Sequence, residues 1–156
     1  MKALPALFAL TLAAACAGQD SFGAKVVAIH DGDTISVLRG REQVRLRLTG
    51  IDCPELHQDF GQRAKQLTGR LAFGRVVTVT AVDRDRYGRV VARVVVDGED
   101  LCLALVRAGM AWHDRAHSDD ARLAEAEREA RAARLGLWSQ PNPTPPWAWR
   151  AQHPRK

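Results

Sequence analysis

Apolar and polar residues alternate with a period of two over much of the chain. Between residues 44 and 49, Val44, Leu46 and Leu48 point one way and Arg45, Arg47 and Thr49 the other, the pattern of a half-buried strand. Residues 26–29 and 34–38 are rich in strand-forming side chains and flank His30-Asp31-Gly32-Asp33, a turn centred on Asp-Gly. Residues 75–82 and 89–96 are two further strand-like runs, joined by Asp83-Arg84-Asp85-Arg86-Tyr87-Gly88. Helical spacing first appears over residues 61–73, where Ala64, Leu67 and Leu71 recur every three to four positions. A short helix is expected over residues 101–108, capped by Asp100 and ended by Gly109. A third is expected over about 119–135, with Leu123, Ala126, Ala130 and Ala133 on one face and Gly136 behind it.

Five strands with a helix between the third and fourth is the order of an OB-type barrel. The expected class is therefore α+β, mainly β: a five-stranded OB-fold barrel with three helices. The third strand, residues 44–51, carries most of the candidate chemistry. Strict alternation would place Asp52 on the face opposite Arg47, but Gly50 tolerates the bend that re-aims a strand. Pro54 holds Cys53 extended and fixes its own φ, so the Cys53 carbonyl and the Glu55 carboxylate leave the strand in set directions. Arg47, Asp52, the Cys53 carbonyl and Glu55 then place a phosphate-binding fork, a cation-binding acid, an oxygen donor and a second acid within nine residues. Asp33, at the start of the second strand, is placed to face a cleft, whereas Asp31 reads as turn chemistry.

At 156 residues there is room for one domain with a real core, and 46% hydrophobic with 26% charged residues is a globular composition. A net charge of +5 and a pI near 9.6 lean towards an anionic partner such as nucleic acid. Arginine outnumbers lysine, and arginine is the better bidentate phosphate partner. Lys2, the apolar run 3–15 and Ala15-Cys16-Ala17 read as an export signal over 1–17, too short to span a bilayer, which takes about 20 apolar residues. A periplasmic or secreted protein is expected, with a lipid anchor at Cys16 as the alternative. Cys53 and Cys102 then remain, either bridged or buried as thiols. His57 reads as a loop histidine, since no second histidine stands at ligand spacing. No Walker-type phosphate loop, zinc spacing, G-x-S-x-G or internal repeat is found. The tail 139–156, rich in proline with Trp147 and Trp149, is expected to be neither helix nor strand, either draped over the barrel or disordered.

Taken together, Asp31-Gly32-Asp33-Thr34, Arg47 with Asp52-Cys53-Pro54-Glu55, Asp85-Arg86-Tyr87-Gly88-Arg89 and Gly136-Leu137-Trp138 resemble the thermonuclease (staphylococcal nuclease-like) family over about residues 24–138. Pro145-Pro146-Trp147-Ala148-Trp149-Arg150 is similar to the ending of many exported bacterial members. The resemblance implies a calcium-dependent phosphodiesterase of DNA and RNA with low sequence specificity, acting as a monomer and leaving 3′-phosphate ends. It implies that Asp33, Asp52 and the Cys53 carbonyl bind calcium, with Asp31 supporting them. Glu55 would act as general base or orient the attacking water, Arg47 and Arg89 would clamp the scissile phosphate, and Arg86 and Tyr87 would hold the neighbouring nucleotide. The alternative is a catalytically inactive module that binds nucleic acid or protein on the same barrel. The family's tyrosines after Gly-x-Ala are absent. Trp112-His113-Asp114-Arg115-Ala116-His117 stands there instead, with Trp112 expected in the core and His117 at the surface.

Overall fold

The computed structural model describes residues 20–154; the export run and Cys16 lie outside the described residues. Its strands are β1 (Ser21–Ile29), β2 (Thr34–Arg39), β3 (Glu42–Leu48), β4 (Ile51–Asp52), β5 (Val76–Arg84), β6 (Val90–Val96), β7 (Glu99–Asp100) and β8 (Trp112–His113). Its helices are α1 (Gly61–Ala72), α2 (Leu101–Arg107), α3 (Ala121–Ala132) and α4 (Pro146–Gln152), with a 3-10 turn at Gly136–Ser139. Strands run in the order β3-β2-β1-β5-β6, and β3 then pairs with β6 in parallel, Leu46 opposite Val90 and Leu48 opposite Ala92. That pairing closes a five-stranded barrel and leaves its long strands without an open edge. The inward set Val26, Ile35, Val37, Leu46, Leu48, Val79, Ala92 and Val94 is buried, and α1 and α2 add Ala64, Leu101, Leu105 and Val106 to the same core.

The expected fold class holds, and the differences have local causes. The third strand is broken in two: β3 stops at Leu48, Gly50 takes φ 72°, and the chain resumes as β4. β4 leaves the barrel to pair with β8, Ile51 opposite His113 and Asp52 opposite Trp112. Helix α3 begins at Ala121, after Asp120 accepts a hydrogen bond from the Arg122 N–H, and ends at Ala132 rather than near Leu135. Arg134 adopts φ 53°, and the Leu137 N–H donates to the Gly109 carbonyl at 2.9 Å, so the chain turns back towards α2.

The tail is a correction. Residues 146–152 form a fourth helix, so the expectation of an irregular tail fails. Proline at the first helical position loses no hydrogen bond, because that N–H has no partner within a helix, and its fixed φ already suits one. Buried Pro146 and an edge-on contact between Trp147 and Trp112, centroids 5.5 Å apart, seat the helix. Trp112 in turn packs edge-on against Trp138 at 4.4 Å, in a small second core. Gln58 Nε2 donates to the Thr144 carbonyl at 2.6 Å, and Gln140 Nε2 to Asp59 Oδ2 at 2.9 Å, which ties the approach to α4 to the loop before α1. Cys53 and Cys102 are both free thiols, buried in the main core. No helix among the described residues is long and apolar enough to cross a membrane.

Candidate active site

The break at Gly50 brings Arg47 and Asp52 to the same side. Arg47 Nη2 donates to Asp52 Oδ1 at 3.2 Å and Nη1 reaches Asp33 Oδ2 at 2.8 Å, so one guanidinium joins the start of β2 to the end of β4. A side chain at position 50 would meet the Leu123 methyl at 2.8 Å as well as the unfavourable φ, which ties the bend to glycine. Asp33 and Asp52 are both buried. Asp33 is further fixed by the Cys53 N–H, which donates to its Oδ2 at 2.6 Å, and by the Thr34 hydroxyl, which donates to Oδ1 at 3.3 Å. The Asp31 carboxylate accepts the Asp33 N–H at 3.0 Å, closing the Asp-Gly turn behind the site.

Burial pushes the Asp33 carboxyl up to about 7; Arg47 opposes the rise, and the nearby Asp31 and Asp52 charges add to it. Burial on its own would lower Arg47, but Asp33 and Asp52 beside it raise it, so it stays charged. Burial and the Asp33 charge hold the Cys53 thiol well above its ordinary range.

Glu55 lies past Pro54 in a loop pinned at both ends. Its N–H donates to the Gln58 Oε1 at 3.1 Å, and its carbonyl accepts the Gln58 N–H at 2.9 Å. A Cβ on Gly61 would lie 1.8 Å from the Glu55 carbonyl oxygen, so the loop can close onto α1 only over glycine. The Glu55 carboxylate accepts from Arg150 Nη1 at 2.9 Å. Arg150 also reaches Asp52, a contact that no reading of the sequence anticipated.

Across the cleft, the hairpin between β5 and β6 organises Arg89. Asp85 Oδ1 accepts the backbone N–H of Tyr87 at 2.9 Å and of Arg89 at 3.0 Å, and Asp85 Oδ2 accepts Arg89 Nε at 2.6 Å. Arg89 Nη1 reaches the Thr34 hydroxyl at 3.3 Å, beside Asp33. Arg86 and Tyr87 stand at the rim: Tyr87 is exposed, Arg86 lies over its ring at 4.9 Å, and Arg86 Nη2 donates to its hydroxyl at 2.8 Å. Arg47, Asp52, Asp85, Arg86, Tyr87, Arg89 and Arg150 share one cleft of about 1390 Å³.

His117 lines this cleft as well, exposed and bonded through Nδ1 to Asp114 Oδ2 at 2.9 Å, whereas Trp112 is buried. His57 is exposed in its loop. Two residues that sequence reasoning missed act here: Gln58, which fixes the Glu55 backbone, and Arg150. Only the Pro145-Pro146 step, a helix-start signal, pointed to the element that carries Arg150.

Among the described residues, no group of three or more His, Cys, Asp or Glu side chains is arranged to hold a metal ion. Asp33 and Asp52 nevertheless suit a hard divalent cation as a pair. They are buried carboxylates held close by one guanidinium, and burial together with the Asp31 and Asp52 charges pushes Asp33 towards its neutral form despite Arg47. With the Cys53 carbonyl they would offer oxygen donors only, the set calcium prefers.

Residues 45–140 match the model of a family described as staphylococcal nuclease homologue. An uncharacterized endonuclease of Escherichia coli is 44% identical over 127 residues, covering 81% of this chain and 83% of that one. Micrococcal nuclease of Shigella flexneri is 44% identical over 140 residues, covering 83% and 80%. The staphylococcal-like nuclease CAN1 of Arabidopsis thaliana is 38% identical over 109 residues, which is 70% of this chain and 34% of that protein.

Proposed function

This chain belongs to the staphylococcal nuclease-like family, and from that premise we propose that it hydrolyses phosphodiester bonds of DNA and RNA with calcium, leaving 3′-phosphate ends. Relatives named as endonuclease and micrococcal nuclease support nucleic-acid hydrolysis. The observation that supports the finer reading is the convergence of Arg47, Asp52 and Arg89 on one cleft, with Asp33 paired to Arg47 and Glu55 joined to Asp52 through Arg150.

Attack by water on a phosphodiester builds charge on equatorial oxygens that already carry one negative charge. Arg47 is held by two carboxylates and Arg89 by Asp85, so both guanidiniums are fixed before substrate arrives. Such preorganised donors typically supply the largest catalytic contribution. Bound between Asp33, Asp52 and the Cys53 carbonyl, calcium would supply Lewis-acid stabilisation of the same charge. Glu55, pinned through Gln58 and Gly61, takes the proton of the attacking water or orients that water. A bond then forms from the water oxygen to phosphorus, and the bond to the 5′-oxygen breaks. That oxygen leaves with a solvent proton, and the phosphate stays on the 3′ side. Arg86 and Tyr87 hold the next nucleotide by charge and ring contact. The enzyme acts as a monomer on this reading, and the run over residues 3–15 makes it an exported one; the mass of the mature N-terminus tests the second point and would reveal a lipid on Cys16.

Digestion of single- and double-stranded DNA with calcium, then with excess chelator, tests the reading. Cleavage with calcium that stops in chelator, with 3′-phosphate ends by mass spectrometry, is the expected result. Undiminished cleavage in chelator would remove the metal assignment, and tight binding without cleavage would favour the inactive binding module.

A further inference from the structure

The carboxylates assigned above to a cation and to a water already touch a positive charge supplied from the other end of the chain. Arg150 Nη2 donates to Asp52 Oδ2 at 2.8 Å, and Nη1 donates both to Asp52 Oδ1 at 3.2 Å and to Glu55 Oε1 at 2.9 Å. The helix that carries it is docked independently of these bonds, through Trp147 on Trp112, buried Pro146 and the Gln58 bond to the Thr144 carbonyl. Tail docking therefore does not require an arginine at position 150, and a half-exposed guanidinium reaching over a cleft towards two acids needs another explanation.

We propose that Arg150 is a positioning residue of the active site, which aligns Glu55 and at the same time competes with the divalent cation for Asp52. The inference rests on the functional reading above. Asp52 accepts three N–H bonds from two guanidiniums, one from Arg47 and two from Arg150. A calcium ion takes carboxylate oxygens at about 2.3–2.6 Å, so its approach to Asp52 must displace at least one of those N–H groups and sets like charges a few ångströms apart. Arg47 is anchored to Asp33 as well, and its side chain is only 17% exposed. Arg150, 42% exposed on a helix of seven residues, is the one that yields. Glu55 is not among the proposed ligands, so its contact with Nη1 survives and keeps that carboxylate aimed.

Loss of Arg150 then has two effects of opposite sign: tighter calcium binding and slower turnover. A tail that merely props up the site would weaken both when damaged.

The test uses the full chain and its Arg150→Ala and Arg150→Lys variants, with calcium chloride titrated calorimetrically and cleavage of a DNA oligonucleotide followed at saturating calcium. Tryptophan fluorescence before calcium is added checks that α4 stays docked. Arg150→Ala should bind calcium about tenfold more tightly, the size expected when two partly exposed ion-pair contacts are removed. Its kcat should fall about tenfold with KM little changed, the pattern of an interaction that acts on the chemical step. Lysine, a point charge without the planar fork, should fall between wild type and alanine in both quantities. Calcium affinity that is unchanged or weaker in Arg150→Ala, or an unchanged kcat, would overturn the proposal while leaving a calcium-dependent wild type standing. A wild type that neither binds calcium nor cuts DNA would overturn the functional reading and this inference together.

Discussion

Asp33→Asn should stabilise the protein in chelator at high pH and leave it almost unchanged at low pH. Asp33 is buried, and burial lifts its carboxyl to about 7, against 3.8 for the free side chain. The folded state therefore favours the neutral acid. The stability that its protonation contributes is fully present below the unfolded value near 3.8 and is lost as pH rises through about 7. At about 1.4 kcal/mol per pH unit, that span corresponds to a loss of up to about 4 kcal/mol on the alkaline side. Asparagine copies the shape of the neutral acid and still accepts the Cys53 N–H, but it gives up the ion pair with Arg47. The Arg47 attraction is already contained in that shift, and the amide that replaces the acid leaves some polar contacts unmade, so a net stabilisation of about 1–3 kcal/mol at pH 8 is expected. Urea unfolding of wild type and variant, in excess chelator from pH 4 to pH 9, measures the difference and cancels every other titrating group. A gap that opens between pH 4 and about 7 and is flat above supports the argument. A variant less stable than wild type by the same amount at every pH would refute it, because Asp33 would then be ionised throughout and net stabilising.

Two further predictions follow from the same geometry. Cys53 and Cys102 are buried and their thiols are raised by burial, so a thiol reagent should reach these two only after unfolding; no reaction at either after unfolding without reductant would mean that they bridge. Arg86→Ala should weaken DNA binding and flatten its salt dependence by about 0.7–0.9 in log–log slope, the loss of one phosphate contact, with a smaller effect on single-turnover rate; an unchanged slope would take Arg86 off the substrate path.

What could be read from the sequence, and what could not, divides by length and by partner. The barrel strands were legible because alternation over six or more positions, as in Val44 to Thr49, leaves one face that must be buried. β4, β7 and β8 have two residues each, too few to carry a period, so the pairing of Asp52 with Trp112 stayed invisible. Gly50 was legible as a bend, since a lone glycine between Thr49 and Ile51 has few other uses in a strand, and its φ of 72° is where the strand breaks. The meeting of Asp33, Arg47 and Asp52 could be expected because all three lie on or just beyond strands of fixed register. Arg150 could not be foreseen. Its helix is shorter than two turns, its prolines read first as breakers, and its docking depends on Trp147 meeting Trp112 across 34 residues of intervening chain. Family resemblance named the chemistry of Glu55, but the support of its loop by Gln58 and Gly61 is a tertiary fact.

The central claim is that Glu55 and Arg89 act on the chemical step of phosphodiester hydrolysis. Single-turnover cleavage at saturating enzyme and calcium, with oligonucleotide binding measured in parallel, tests it most directly for wild type, Glu55→Gln and Arg89→Ala. Glu55→Gln should slow the step by about 10²–10⁴-fold while binding stays almost intact, as for loss of a general base. Arg89→Ala should slow it by about 10²–10³-fold, as for loss of one donor that meets charge growing in the transition state. Equal single-turnover rates in all three proteins would contradict the mechanism, and any cutting seen would then belong to a contaminant.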